Sequence, residues 1–139
     1  MKIAVDFDGT IVEHAYPEIG KPLLFAFETL KELQKHKCQL ILWTFRTGRE
    51  LEEAVEFCKK NGIEFYAVNK NYPEEKLGDG LGRKVDADIF IDDKNLGGFP
   101  GWSEVWQMLS PMLEETVKSD YNTFLKPKKN FLQRIIKSK

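Results

Sequence analysis

The chain has 139 residues, of which 42% are hydrophobic and 31% charged, enough for one ordinary domain with a buried core and too apolar for a disordered chain. Its net charge of −1 argues against generic nucleic-acid binding, and no apolar run approaches the length of a membrane span. The N-terminus leads into a strand-like run with no signal-peptide pattern, and Cys38 and Cys58 lack metal-ligand spacing. Together these features predict a cytoplasmic protein with two buried thiols.

Taken in order, Ile3-Ala4-Val5 reads as a strand buried on both faces, the pattern of a central parallel strand. It runs into Asp6-Phe7-Asp8-Gly9-Thr10, which places two carboxylates together at a strand terminus. Such a pair repels unless a cation or substrate fills the gap. A plain Asp-Gly turn accounts for Asp8 and Gly9 but not for Asp6. Val12 to Pro22 reads as a loop, and a helix is expected from Pro22, with Leu23, Phe27 and Leu30 on one face and Leu24 and Leu33 beside it. Cys38 to Thr44 is expected as a second buried strand ending in a hydroxyl. Leu51, Ala54, Val55 and Cys58 then mark the apolar face of a second helix that Asn61-Gly62 stops. Ile63 to Val68 reads as a third strand, 69–84 as a polar loop, and Ala87 to Asp92 as a fourth strand ending in Asp92-Asp93. A Gly/Pro-rich turn leads to a third helix with Trp102, Val105, Trp106 and Leu109 on one face, which Pro111 restarts or kinks.

Strands alternating with helices predict a three-layer, Rossmann-like parallel α/β sheet with helices on both faces. Ligands of such sheets bind beyond the carboxyl ends of the strands. Asp6, Asp8, Thr44, Asp92 and Asp93 are all expected on that rim. Carboxylates without histidine or cysteine partners favour a hard cation, and Mg²⁺ suits one or two carboxylates plus a substrate phosphate. The set is suited to phosphoryl transfer, with a carboxylate nucleophile and a second carboxylate handling protons.

Asp6-Phe7-Asp8-Gly9-Thr10, Thr44 after a hydrophobic strand, Lys84 ahead of the fourth strand, and Asp92-Asp93 together resemble the motifs of the haloacid-dehalogenase-like (HAD) phosphohydrolases. The resemblance covers residues 1 to about 118 and is to small bacterial and phage members without a substantial cap domain. It implies Asp6 as nucleophile and Mg²⁺ ligand, and Asp8 as general acid and base with its backbone carbonyl on the metal. It further implies Thr44 and Lys84 on the transferring phosphoryl group, and Asp92 and Asp93 as metal ligands. Lys70, Lys76 or Arg83 could take the place of Lys84. Gly9, Thr10, His14, Arg46 and Arg49 complete the candidate substrate-contacting set, the two arginines because they flank Thr47-Gly48 at a helix N-terminus. The loop carrying His14 and Tyr16 lies where related proteins have a flap.

The expected activity is Mg²⁺-dependent hydrolysis of a phosphomonoester, on a phosphorylated small molecule or polymer end, with oligomerisation left open. The alternative is a non-catalytic phosphate-binding or regulatory module on the same fold. Residues 119–139 are expected as a basic tail. Asp120 to Lys139 carries +5 against −6 for the rest, and Phe131, Leu132, Ile135 and Ile136 trace a short amphipathic helix.

Overall fold

The computed structural model describes residues 1–125 apart from 77, 79 and 81. Four parallel strands, β1 (Lys2–Val5), β2 (Gln39–Leu42), β3 (Ala67–Val68) and β4 (Ile89–Ile91), form one sheet in the order β3-β2-β1-β4. Helices α1 (Ala26–Lys35), α2 (Gly48–Lys60) and α3 (Trp102–Leu125) flank it. The protein is thus a small α/β unit of Rossmann-like arrangement, and no helix among the described residues is long and apolar enough to cross a membrane. Met1–Trp106 forms one compact unit, which holds the sheet and every rim residue discussed below.

The register explains how the core is divided. Ile3 pairs with Leu40 and Val5 with Leu42, and all four are buried. Strand alternation puts them on the same face as Phe7. Phe57 of α2 meets both Phe7 and Phe27 of α1, at centroid distances of 6.4 and 5.8 Å, so α1 and α2 cover that face side by side. One right-handed crossover direction from β1 through β2 to β3 requires this. On the opposite face Ala67, Ile41, Ala4 and Phe90 form a row across the sheet. Val85 packs on this row with Ala87, Trp43 and Tyr66. Among the described residues, the side chains that cover this row come from the β3-to-β4 crossover and the strand ends, where a helical layer was expected.

Several elements differ from their sequence expectation. The first helix begins at Ala26, not Pro22: the Leu23 amide donates to the Ile11 carbonyl (2.9 Å), Pro22 bridges Val12, and Phe25 is left-handed at φ 63°. Leu24 is therefore exposed instead of flanking the helix face. The third strand is only two residues long, because Ile63 is spent closing α2, its amide donating to the Cys58 carbonyl. The second and fourth strands are likewise shorter than the apolar runs that announce them. Pro111 lies inside a continuous α3, which also runs past residue 118. The amphipathic pattern at 131–136 lies outside the described residues.

Candidate functional site

The ladder between β1, β2 and β4 extends one step beyond the strands. The Asp6 amide donates to the Ile91 carbonyl (2.9 Å) and the Trp43 amide to the Val5 carbonyl (2.8 Å). This delivers Asp6, Thr44, Asp92 and Asp93 to one rim. Carboxylate oxygens of Asp6, Asp92 and Asp93 lie within 4.8 Å of one another. Buried Thr10 ties two of them together: its hydroxyl donates to Asp6 Oδ2 (3.1 Å) and accepts from the Asp93 amide (3.1 Å). The Trp102 indole donates to the Thr10 carbonyl at 2.7 Å, a buried bond worth about 1 kcal/mol that anchors the turn to the start of α3. Gly9 sits at φ +83°, and a Cβ there would run into the His14 ring and the Asp93 carboxylate. The turn therefore requires glycine both for its backbone angle and for space.

His14 reaches over from the flap, Nε2 to Asp93 Oδ2 at 2.8 Å. Thr44 is held by Asn69, whose side-chain oxygen accepts the Thr44 amide (2.8 Å) while the Asn69 amide donates to the Leu42 carbonyl (2.8 Å). These groups open into a cavity of about 430 Å³ that Trp43, Phe45 and Lys94 also line.

Two of the three carboxylates are shifted, in opposite directions. Burial, then the charge of Asp92, pushes Asp6 from the ordinary 3.8 up to about 7, with proximity to Asp93 adding and the Phe7 amide and Thr10 hydroxyl opposing. Asp93 moves the other way: burial would raise it, but His14, Asp6 and Lys94 outweigh that and hold it below the usual carboxylate range. Asp93 Oδ1 is buried with no hydrogen-bond partner among the described residues. A buried orphan oxygen beside two more carboxylates fits a divalent cation with oxygen ligands, which Asp6, Asp92 and Asp93 would hold.

A stability prediction follows from Asp6. Its pKa is raised on folding, so its contribution is fully present below about 4 and lost as pH rises through about 7. A cation bound between Asp6, Asp92 and Asp93 would replace the lost proton. Mg²⁺ is therefore expected to raise Tm more at pH 8 than at pH 5, measured by thermal melts with EDTA or Mg²⁺. Equal shifts at the two pH values would remove Asp6 from the cation site.

Asp8 lines the same cavity but lies outside the three-carboxylate cluster and is held differently. Its carboxylate is 3% exposed and receives a bidentate pair from Arg46, with Nε to Oδ2 and an Nη2 hydrogen to Oδ1 both at 2.7 Å. Arg46 also donates to the Pro17 (3.1 Å), Glu18 (2.7 Å) and Glu50 (3.4 Å) carbonyls. Its side chain is fully buried, with the guanidinium between the Phe7 and Tyr16 rings at 5.0 and 5.1 Å from their centroids. Its hydrogen bonds to the Asp8 carboxylate, more than the opposing effect of burial, raise its pKa above the ordinary arginine value. Arg46, expected to meet a phosphate, has its donors engaged by Asp8, the flap and α2 in this structure. Arg49 pairs with Glu53 at 2.8 Å on the exposed surface of α2 and does not line the cavity. Lys84 is exposed, with Nζ 5.2 Å from the Phe90 ring, on the sheet face carrying Val85, and it too is absent from the cavity lining. Among the described residues, the lysine that lines the cavity is Lys94, Nζ 3.9 Å from Asp93 Oδ2. Sequence reasoning missed Lys94 and Asn69. Lys94 directly follows the Asp-Asp pair, and that adjacency was the available signal.

Fold and site define a small parallel α/β protein with a carboxylate cluster on the carboxyl rim of its sheet. No family model and no curated protein matches the chain. A solved structure does match, that of a conserved protein from Bacteroides thetaiotaomicron. It is 56% identical with a TM-score of 0.77, over 81% of this chain and 91% of that one. The chain belongs to the same family as that conserved bacterial protein.

Proposed function

We propose that this protein is a Mg²⁺-dependent phosphomonoesterase of the haloacid-dehalogenase-like kind, acting through an aspartyl-phosphate on Asp6. The observation that carries the reading is the position of Asp6: at the end of the central strand, in the cavity, beside Thr44 and within cation-sharing distance of Asp92 and Asp93. The cation would supply charge neutralisation for the phosphoryl oxygens and hold Asp6 ionised at neutral pH.

An Asp6 carboxylate oxygen forms the bond to phosphorus while the bond to the leaving oxygen breaks. The Thr44 hydroxyl donates to a phosphoryl oxygen, and Lys94 faces the developing charge. Asp8 gives a proton to the leaving oxygen and then takes one from the water that releases inorganic phosphate and regenerates Asp6. In this role Asp8 must exchange Arg46 for the reacting groups, since both its oxygens are engaged by the guanidinium.

That engagement is also the observation favouring the second reading, a phosphate-binding or regulatory module in which Asp8 is a structural partner of Arg46. One assay separates the two. A generic aryl phosphate is expected to be hydrolysed with Mg²⁺ and not with EDTA. Within it, Lys94→Ala is expected to lower turnover on the order of a hundredfold, the scale of losing one transition-state donor, and Lys84→Ala much less. No metal-dependent release beside a working control enzyme would leave only the binding module, and a larger loss in Lys84→Ala would return the charge-neutralising role to Lys84.

A further inference from the structure

The residue after Thr44 is Phe45, which lines the cavity yet is 67% exposed. Its ring stands 4.9 Å from that of Tyr16, centroid to centroid and tilted by 51°, and Tyr16 is itself 50% exposed. Phe45 thus presents much of its ring to water at the cavity, with the Tyr16 ring beside it.

The pair is also held in place rather than loose. The Arg46 guanidinium lies behind the Tyr16 ring at 5.1 Å. The same guanidinium grips Asp8 and the flap carbonyls of Pro17 and Glu18. The flap is closed at its base by the Glu13 amide on the Lys21 carbonyl (2.8 Å). Tyr16 is therefore in contact with both the guanidinium and the Phe45 ring. Trp43 is a second aromatic residue lining the cavity beside Phe45. A rigid π-face beginning one residue from the phosphate-contacting hydroxyl suits a flat ring joined to the phosphate through a few bonds. A cavity of about 430 Å³ has room for such a group beyond the phosphate.

We infer that Phe45 and Tyr16 form an aromatic subsite that selects phosphomonoesters bearing a planar ring, of the nucleotide or aryl-alkyl class. The inference rests on the phosphomonoesterase reading above and deepens it. Substrates with the ring gain stacking on Phe45; ring-free substrates with the same leaving oxygen do not.

The test compares matched pairs, so that leaving-group chemistry is constant: adenosine 5′-monophosphate against ribose 5-phosphate, and 2-phenylethyl phosphate against ethyl phosphate. The ring-bearing member of at least one pair is expected to have about tenfold higher kcat/KM, carried mainly by KM. Phe45→Ala is expected to erase that ratio, and Phe45→Leu, which keeps bulk but lacks a π-face, to reduce it. Preference in the first pair alone marks a nucleotide site, and in the second alone an aryl-alkyl site. Equal efficiency within both pairs, or a ratio unchanged in both variants, overturns the subsite. Equilibrium dialysis of the same four compounds with the Asp6→Asn protein keeps the two readings distinguishable. Ring-dependent binding without any turnover in the wild-type protein would sink the enzyme and keep the subsite; turnover without ring dependence would do the reverse.

Discussion

Asp6→Asn is expected to abolish metal-dependent phosphate release, by on the order of a thousandfold or more, because an amide oxygen cannot form the acyl phosphate that the proposed reaction requires. The same substitution should leave the fold intact and make the metal-free protein more stable at pH 8. Asp6 is pushed up to about 7 by burial and by Asp92, so its ionised form is a cost that the neutral amide avoids. The Thr10 hydroxyl still finds an acceptor in the Asn side chain. The Mg²⁺-induced rise in Tm should shrink in the same variant. Lost turnover together with a higher metal-free Tm and a weaker Mg²⁺ response assigns Asp6 both roles. Substantial residual turnover would sink the nucleophile assignment whatever the melts show.

Arg46→Ala is the substitution with the largest expected effect on stability. It strands a buried Asp8 carboxylate whose two oxygens are engaged by Arg46, and it frees the Pro17 and Glu18 carbonyls of the flap. Breaking a buried pair from one side costs about 3–5 kcal/mol. For a chain of this size that is a fall in Tm on the order of 10–20 °C. Arg46→Lys should recover only part, since an ammonium cannot make the bidentate contact or sit flat between two rings. A double-mutant cycle with Asp8→Asn measures the coupling. If Arg46→Ala costs less than about 1 kcal/mol, the range of an exposed pair, the guanidinium does not hold the flap to the sheet. The pair also affects how activity is read. Asp8→Asn leaves a buried guanidinium short of its charge partner, so lost turnover in that variant reports on proton transfer only if its melting temperature is close to wild type.

How much of this was legible depends on the range of the interactions involved. Ile3 to Val5 announced a central strand, and the Leu51, Ala54, Val55, Cys58 spacing announced α2, because each pattern is complete within a few residues. The start of α1 was not legible. Leu23 and Leu24 fit a helical face, but the Leu23 amide is taken by Ile11 across the flap, a bond no local pattern encodes. Ile63 reads as a strand residue and serves as the close of α2 for the same reason.

The site divides along the same line. By itself the sequence determined that carboxylates and a hydroxyl would gather at strand ends, since a buried apolar run followed by Asp or Thr places that side chain on the rim of a parallel sheet. Only the tertiary structure decided which groups meet there. Asp8 and Arg46 are 38 residues apart, and their pairing depends on how the flap and α2 close around both. Lys94 lies at the cavity and Lys84 over Phe90, because the β3-to-β4 crossover packs on the opposite face of the sheet. Apolar periodicity and strand-end chemistry are local properties that a chain carries in its residues. The partners of a buried charge are set by long-range packing, and the folded chain alone supplies them.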